Sequence, residues 1–227
     1  MERLRKTYLV AGHQFSFAIE GNSPLWRYIF RAYDPFEWDN SNDDLFTISL
    51  EEDVSAEDVK QVYVDENPEP GYVKIAVYRY SGGYYMEFTQ YDSDIINGKM
   101  TLGEGGDVRV SLYGDEMHQW MTFTNVTQVV YFIRTSTLDT VMAHASAIHY
   151  RDRAYLFLGK SGTGKSTHSR MWLEGVDGAE LMNDDHPIIR IGEDGIPVAY
   201  GSPWSGKTHC YRNIAAPVGA IVRIRQE

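Results

Sequence analysis

The sequence predicts a mixed α and β fold: an α/β phosphate-loop domain with a mixed, partly antiparallel sheet, preceded by a β-rich region. Three observations predict it. First, residues 154–158 form a short apolar run, residues 159–166 fit G-x-x-x-x-G-K-[ST], and residues 168–173 contain neither Gly nor Pro. Strand, glycine-rich loop and helix follow one another as that motif requires. Second, residues 143–150 read as a strand that Arg151-Asp152-Arg153 joins tightly to the strand before the loop. Two strands so close pair as a hairpin, unlike the helix-separated strands of a parallel sheet. Third, the first half carries alternating apolar runs and glycine turns with one helical stretch. The expected division is 1–114 as the β-rich region and 115–227 as the phosphate-loop domain.

In chain order, residues 7–20 alternate loosely around Phe15, Phe17 and Ile19 and are expected to form one strand. Ser23-Pro24 is a helix start, with Ser as cap and Pro at the first helical position. Trp26, Ile29, Phe30 and Tyr33 follow at helical spacing as core packing, until Asp34-Pro35 ends the run. Residues 37–44 are acidic and polar, a solvated loop with a lid as the alternative. Phe46, Ile48 and Leu50 mark a strand, and the acids at 51–53 and 57–58 mark an exposed face. Residues 72–80 and 84–91 flank Ser81-Gly82-Gly83 and predict a hairpin. Gly103-Glu104-Gly105-Gly106 precedes no helix and reads as a turn before the strand of Val108, Val110 and Leu112. This half is therefore expected to be mostly antiparallel sheet with one helix.

Asp115-Glu116 offers an acidic helix start. Residues 117–134 carry Trp120, Met121, Val126, Val129, Val130 and Ile133 in a mostly helical rhythm, though the β-branched residues leave a strand open. Beyond the loop and its helix, residues 175–178 are a turn, and residues 179–182 lead to Asn183-Asp184-Asp185-His186. Residues 187–191 and 196–200 form a second hairpin across Glu193-Asp194-Gly195. Residues 201–207 are a loop of small polar residues, and residues 218–224 a last strand.

Composition bounds the partners. The chain has 227 residues, 43% hydrophobic and 13% aromatic, enough to bury a core. Its formal net charge of -11 disfavours nucleic acid, which demands a basic face. A single cysteine, Cys210, leaves no intramolecular disulfide and fits a reducing, cytoplasmic compartment. No apolar run approaches the length of about 18 residues that a membrane helix needs, and no signal peptide is expected.

The chemistry starts at the loop. Glycines let successive backbone N–H groups turn inward around an anion, and the following helix adds its positive end. Lys165 supplies a mobile charge for the outer phosphates and Ser166 a hydroxyl for Mg²⁺. About twenty residues on, at a strand end, Asp184 and Asp185 are adjacent. Neighbouring strand residues face opposite ways, so one acid can hold Mg²⁺ while the other acts as a base toward an attacking hydroxyl. The alternative is a turn with two solvated acids.

Together, His144-Ala145-Ser146-Ala147, the loop from Gly159 to Thr167, and Asn183-Asp184-Asp185 resemble the bacterial HPr serine kinase/phosphorylase catalytic domain. They are also similar to the nucleotide site of phosphoenolpyruvate carboxykinase. The resemblance covers residues 117–227. It implies that Gly159, Ser161, Gly162, Thr163, Gly164, Lys165, Ser166 and Thr167 grip the phosphates of ATP. It implies that Ser166 and Asp184 meet Mg²⁺, that Asp184 and Asp185 divide metal binding and hydroxyl activation, and that His144 lies near the reaction centre. Lys207 in the loop after the acids would neutralise phosphate charge, and His186 and His209 are further candidate ligands. The implied reaction is γ-phosphoryl transfer to a hydroxyl on a protein or peptide, in a homo-oligomer. A nucleotide-binding module without catalysis is the alternative expectation, and a chain cut short at its C-terminus a third.

Overall fold

A computed structural model describes residues 2–39, 43–65, 73–90, 93–206 and 208–225. The chain is mixed α and β and mostly strand, with three α-helices among the described residues. It divides into two compact units. The first is Met1–Tyr8, Gln14–Arg31 and Trp38–Arg134; the second is Leu9–His13, Ala32–Glu37 and Thr135–Glu227. The sequence reading put a single boundary at 114/115. Instead, residues 115–134 go with the first unit, and two short N-terminal segments go with the second. No helix among the described residues is long and apolar enough to cross a membrane.

The first sheet contains β1 (Arg3–Val10), β2 (His13–Glu20), β3 (Thr47–Leu50), β4 (Lys60–Val64), β5 (Lys74–Tyr80), β6 (Gly83–Thr89), β7 (Ile96–Gly103) and β8 (Asp107–Leu112). Their order is β1-β2-β3-β8-β7-β6-β5-β4. The single strand expected over 7–20 is two. Ala11 and Gly12 both take positive φ, 49° and 79°, and two such residues in succession make a tight reversal. The sheet is also less antiparallel than expected, because β3 pairs parallel with both β2 and β8. The glycine hairpin forms between β5 and β6, while Tyr72 and Tyr91 at its expected ends lie outside the described residues. β4 and β7 went unread. β4 is exposed at four of its five residues, and Asn97-Gly98-Lys99 interrupts the alternation of β7.

Two helices belong with this sheet. α1 (Trp26–Tyr33) begins three residues after Ser23, whose Oγ accepts from Leu25 N at 3.4 Å. The Asp34-Pro35 stop becomes a 3-10 turn, Asp34–Phe36. α2 (Glu116–Thr135) resolves the helix-or-strand ambiguity in favour of helix. Asp115 Oδ1 accepts from His118 N at 3.0 Å, satisfying one of the amides that a helix start leaves unpaired. Its residues Phe123, Val126, Val130 and Tyr131 are fully buried. Phe123 meets Phe17 edge-on at 5.1 Å, and Phe15 stacks on Phe46 at 4.8 Å. This aromatic core explains why α2 belongs to the first unit.

The second sheet contains β9 (Thr140–Met142), β10 (Ala145–Tyr150), β11 (Arg153–Leu158), β12 (Glu180–Asp185), β13 (Ile188–Ile191), β14 (Pro197–Tyr200) and β15 (Ala215–Arg223). Their order is β12-β10-β11-β15-β14-β13-β9. β10 and β11 pair antiparallel across Arg151 and Asp152, whose φ values are 47° and 59°. β12 pairs antiparallel with β10, and β15 parallel with β11. Hence β12, β11 and β15 run the same way. Their carboxyl ends, and the amino end of β10, meet at one end of the sheet. α3 (Lys165–Gly175) packs on β10, β11 and β12. Ser169 of α3 donates to Ser146 of β10 at 2.6 Å, both buried, and Trp172 lies against Tyr155 and Phe157. A core of Ala145, Ala147, Ala154, Leu156, Met182, Ala199 and Ala216 fills the sheet interior.

Candidate functional site

The phosphate-loop residues come together at the carboxyl end of β11. Gly162 and Gly164 take φ of 80° and 94°, which side-chain-bearing residues rarely adopt. A methyl group on Gly159 would stand 2.3 Å from Thr163 Oγ1, which itself donates to Lys160 O at 2.8 Å. Ser161 and Thr167 are exposed, one on the loop and one on the first turn of α3. The amides of that first turn have no partner within the helix. Lys165 is 9% exposed and curls back over the loop. Its Nζ donates to Gly159 O at 2.9 Å and to Lys160 O at 3.3 Å, and lies 3.1 Å from His144 Nε2, which accepts from it only when that nitrogen carries no proton.

The two acids engage different partners. Asp184, 4% exposed, accepts from Ser166 Oγ at 3.0 Å through Oδ1. Asp185 instead meets two histidines. Its Oδ1 lies 3.2 Å from His144 Nε2, and its Oδ2 lies 3.2 Å from His186 Nδ1. The second contact is an ion pair without hydrogen-bond alignment. The two imidazoles stack at 5.9 Å between centroids. Burial acts to raise the Asp185 carboxyl. His186, His144 and Lys165 outweigh it and hold that carboxyl below its ordinary value. His144 Nε2 cannot accept from Lys165 and donate to Asp185 at once, so its proton selects between them.

The backbone around the acids is held tightly. Asp185 has φ of 146°, a region nearly reserved for glycine. Asn183, fully buried, holds the reversal on both sides. Its Oδ1 accepts from His186 N at 2.8 Å, and its Nδ2 donates to Trp204 O at 3.0 Å and lies 3.2 Å from Ser202 Oγ. Ser202 Oγ in turn lies 2.6 Å from His186 O. Ser205 bridges Asp185 in antiparallel fashion, and Gly206 N donates to Asp184 O. The loop after the acids is therefore stapled under them.

Among the described residues, no group of three or more His, Cys, Asp and Glu is arranged to hold a metal. Ser166 Oγ and Asp184 Oδ1 nevertheless suit Mg²⁺. Both are hard oxygens, and their 3.0 Å separation matches the edge of an octahedron with bonds of about 2.1 Å. Mg²⁺ keeps water and phosphate oxygens for its other positions, so two protein donors suffice.

The other nominated residues fall elsewhere. His209 pairs with Tyr211, its Nδ1 3.1 Å from the phenol oxygen. Lys207 lies outside the described residues. Cys210 is buried at 3.5 Å from Leu181 O. Burial, with Asp184 nearby, pushes its thiol up against the pull of Arg212, the opposite of an activated nucleophile. Sequence reasoning quoted Asn183 without giving its side chain a role, and missed Ser202. An Asn closing a strand just before a reversal is the signal that was present. No family model matches the chain, and no curated protein matches it significantly.

Proposed function

We propose that the second unit binds ATP through the loop from Gly159 to Thr167 and transfers the γ-phosphoryl group to a hydroxyl of a protein or peptide. The reading is that of an HPr kinase-like and carboxykinase-like site. One observation carries it: Asp184 meets the loop's Ser166 at 3.0 Å, while the neighbouring Asp185 turns to a separate pair of histidines. That division supplies a metal-binding acid and an acceptor-facing acid from adjacent residues.

In this mechanism the loop amides and the start of α3 hold the phosphates. Lys165 exchanges the carbonyls of Gly159 and Lys160 for phosphate oxygens. Ser166 and Asp184 would hold Mg²⁺, which would neutralise charge on the phosphates. Asp185, kept ionised by its histidines, accepts the proton of the attacking hydroxyl. As that oxygen bonds to the γ-phosphorus, the bond from phosphorus to the ADP oxygen breaks. His144 and His186 flank Asp185 and favour its charged form.

The test is incubation with γ-labelled ATP, Mg²⁺ and a panel of serine- and threonine-containing peptides. Label is expected on peptide hydroxyls with the wild type and not with Asp184→Ala/Asp185→Ala. Transfer that persists in the double variant removes the roles given to both acids. Tight ATP binding with neither transfer nor hydrolysis points instead to a non-catalytic nucleotide-binding module.

A further inference from the structure

The acids occupy only one side of the phosphate loop. β12 brings Asp184 and Asp185 to the side of β11 that β10 covers. β15 lies on the other side, parallel to β11 and in register with it, so that Leu158 pairs with Arg223. Ile224 N donates to Leu158 O at 2.7 Å, and a methyl group on Gly159 would stand 3.3 Å from Ile224 O. The end of β15 therefore touches the base of the loop. It reads Ile221-Val222-Arg223-Ile224-Arg225.

Alternation puts Ile221 and Arg223 of β15 on one face, and Arg225 follows two residues beyond the strand's last residue. Ile221 is 55% exposed, although its register partner Leu156 is fully buried. β14 pairs with β15 only as far as Pro217, which leaves this stretch open along its outer edge among the described residues. Arg223 and Arg225 are exposed and engage no side chain among the described residues. One exposed isoleucine and two guanidinium groups without side-chain partners among the described residues thus stand beside the base of the phosphate loop. A phosphate tail whose outer end lies by Lys165 and the acid pair has its inner end, and whatever it carries, on the opposite side. A guanidinium plane stacks on aromatic rings, and an isoleucine covers their faces.

We propose that Ile221, Arg223 and Arg225 form the nucleoside subsite, holding the base and ribose of a nucleoside triphosphate. The inference rests on the triphosphate reading of the loop. Calorimetry with two probes, MgATP and magnesium tripolyphosphate, tests it on the whole chain. Wild type is expected to bind ATP more tightly than tripolyphosphate. Arg223→Ala/Arg225→Ala is expected to weaken ATP about tenfold and tripolyphosphate clearly less. Arg223→Lys/Arg225→Lys keeps the charge but not the stacking plane, and is expected to restore tripolyphosphate binding fully and ATP binding only in part.

Equal weakening of both probes in the alanine variant, or no weakening, overturns the subsite. So does a wild type that binds both probes equally, and in that case the phosphate loop still stands. A wild type that binds neither probe removes the loop reading, and the subsite with it. Should the double variant fail to fold, Arg225→Ala alone carries the same comparison.

Discussion

Lys165 is held over the loop with little exposure, its Nζ donating to Gly159 O and Lys160 O beside His144 Nε2. On the proposed reading, an arriving phosphate would replace the two neutral carbonyls with charged oxygens, a stronger partner for an ammonium. Lys165→Ala is expected to weaken ATP binding about 10- to 100-fold with the fold intact, read by calorimetry and circular dichroism. Unchanged affinity would mean the lysine serves only to brace the loop. The residues of this constellation were legible in the sequence to the extent that they act locally. Gly162 and Gly164 sit where the backbone takes positive φ, and Lys165 and Ser166 follow them at the motif's fixed spacing. The adjacency of Asp184 and Asp185 implied opposite directions, and the two side chains engage different partners. What spacing could not show was long-range: Asn183 bonding to Trp204, 21 residues on.

Elements were legible where turn chemistry is strong, as in the β5–β6 and β13–β14 hairpins, while α2 was left open between helix and strand by its β-branched residues. Elements were illegible where a strand borrows its burial from neighbours, as in short β9 with one buried residue and in β4. The loop after β14 is another such case, because its shape is set by what it touches. Gly201 N donates to Ile214 O at 2.9 Å, and a methyl group there would stand 1.9 Å from the backbone oxygen of Arg212. The clashing atom is backbone, so it cannot swing aside as a side chain would. Gly201→Ala is therefore expected to cost roughly 2–4 kcal/mol in urea unfolding, in the range of overpacked or broken backbone sites. Gly178 is the control. Its φ is 83°, but an added methyl would meet nothing within 4 Å, so Gly178→Ala should cost only about 1 kcal/mol of backbone strain. Equal costs at the two positions would show that conformation, not close approach, governs Gly201.

At the scale of the whole molecule, the chain crosses between units more often than a single boundary allows. The second unit needs Leu9–His13 and Ala32–Glu37 as well as its C-terminal stretch. Tyr33 meets the buried Trp204 edge-on at 6.4 Å, and Arg190 donates to Ala11 O at 3.0 Å. A fragment of residues 115–227 is thus expected to melt well below the full chain, or without cooperativity, by circular dichroism. His13 makes the same joint sensitive to acid. It is 7% exposed, its Nε2 lies 2.8 Å from Thr140 Oγ1, and burial with Arg190 nearby lowers its pKa from 6.5 to about 4. Above pH 6.5 the histidine is neutral in both folded and unfolded chains and favours neither. As pH falls from 6.5 toward 4, the unfolded chain takes up the proton and the folded one resists, so stability declines. The full loss across that window is roughly 3 kcal/mol. The depressed carboxyl of Asp185 works differently: its contribution is present above the ordinary carboxylate value and is lost only on further acidification. Urea unfolding of wild type and His13→Gln between about pH 7 and 5 separates the two. Wild type should lose stability over that range and His13→Gln should lose markedly less, whereas parallel profiles would assign the acid response to other groups.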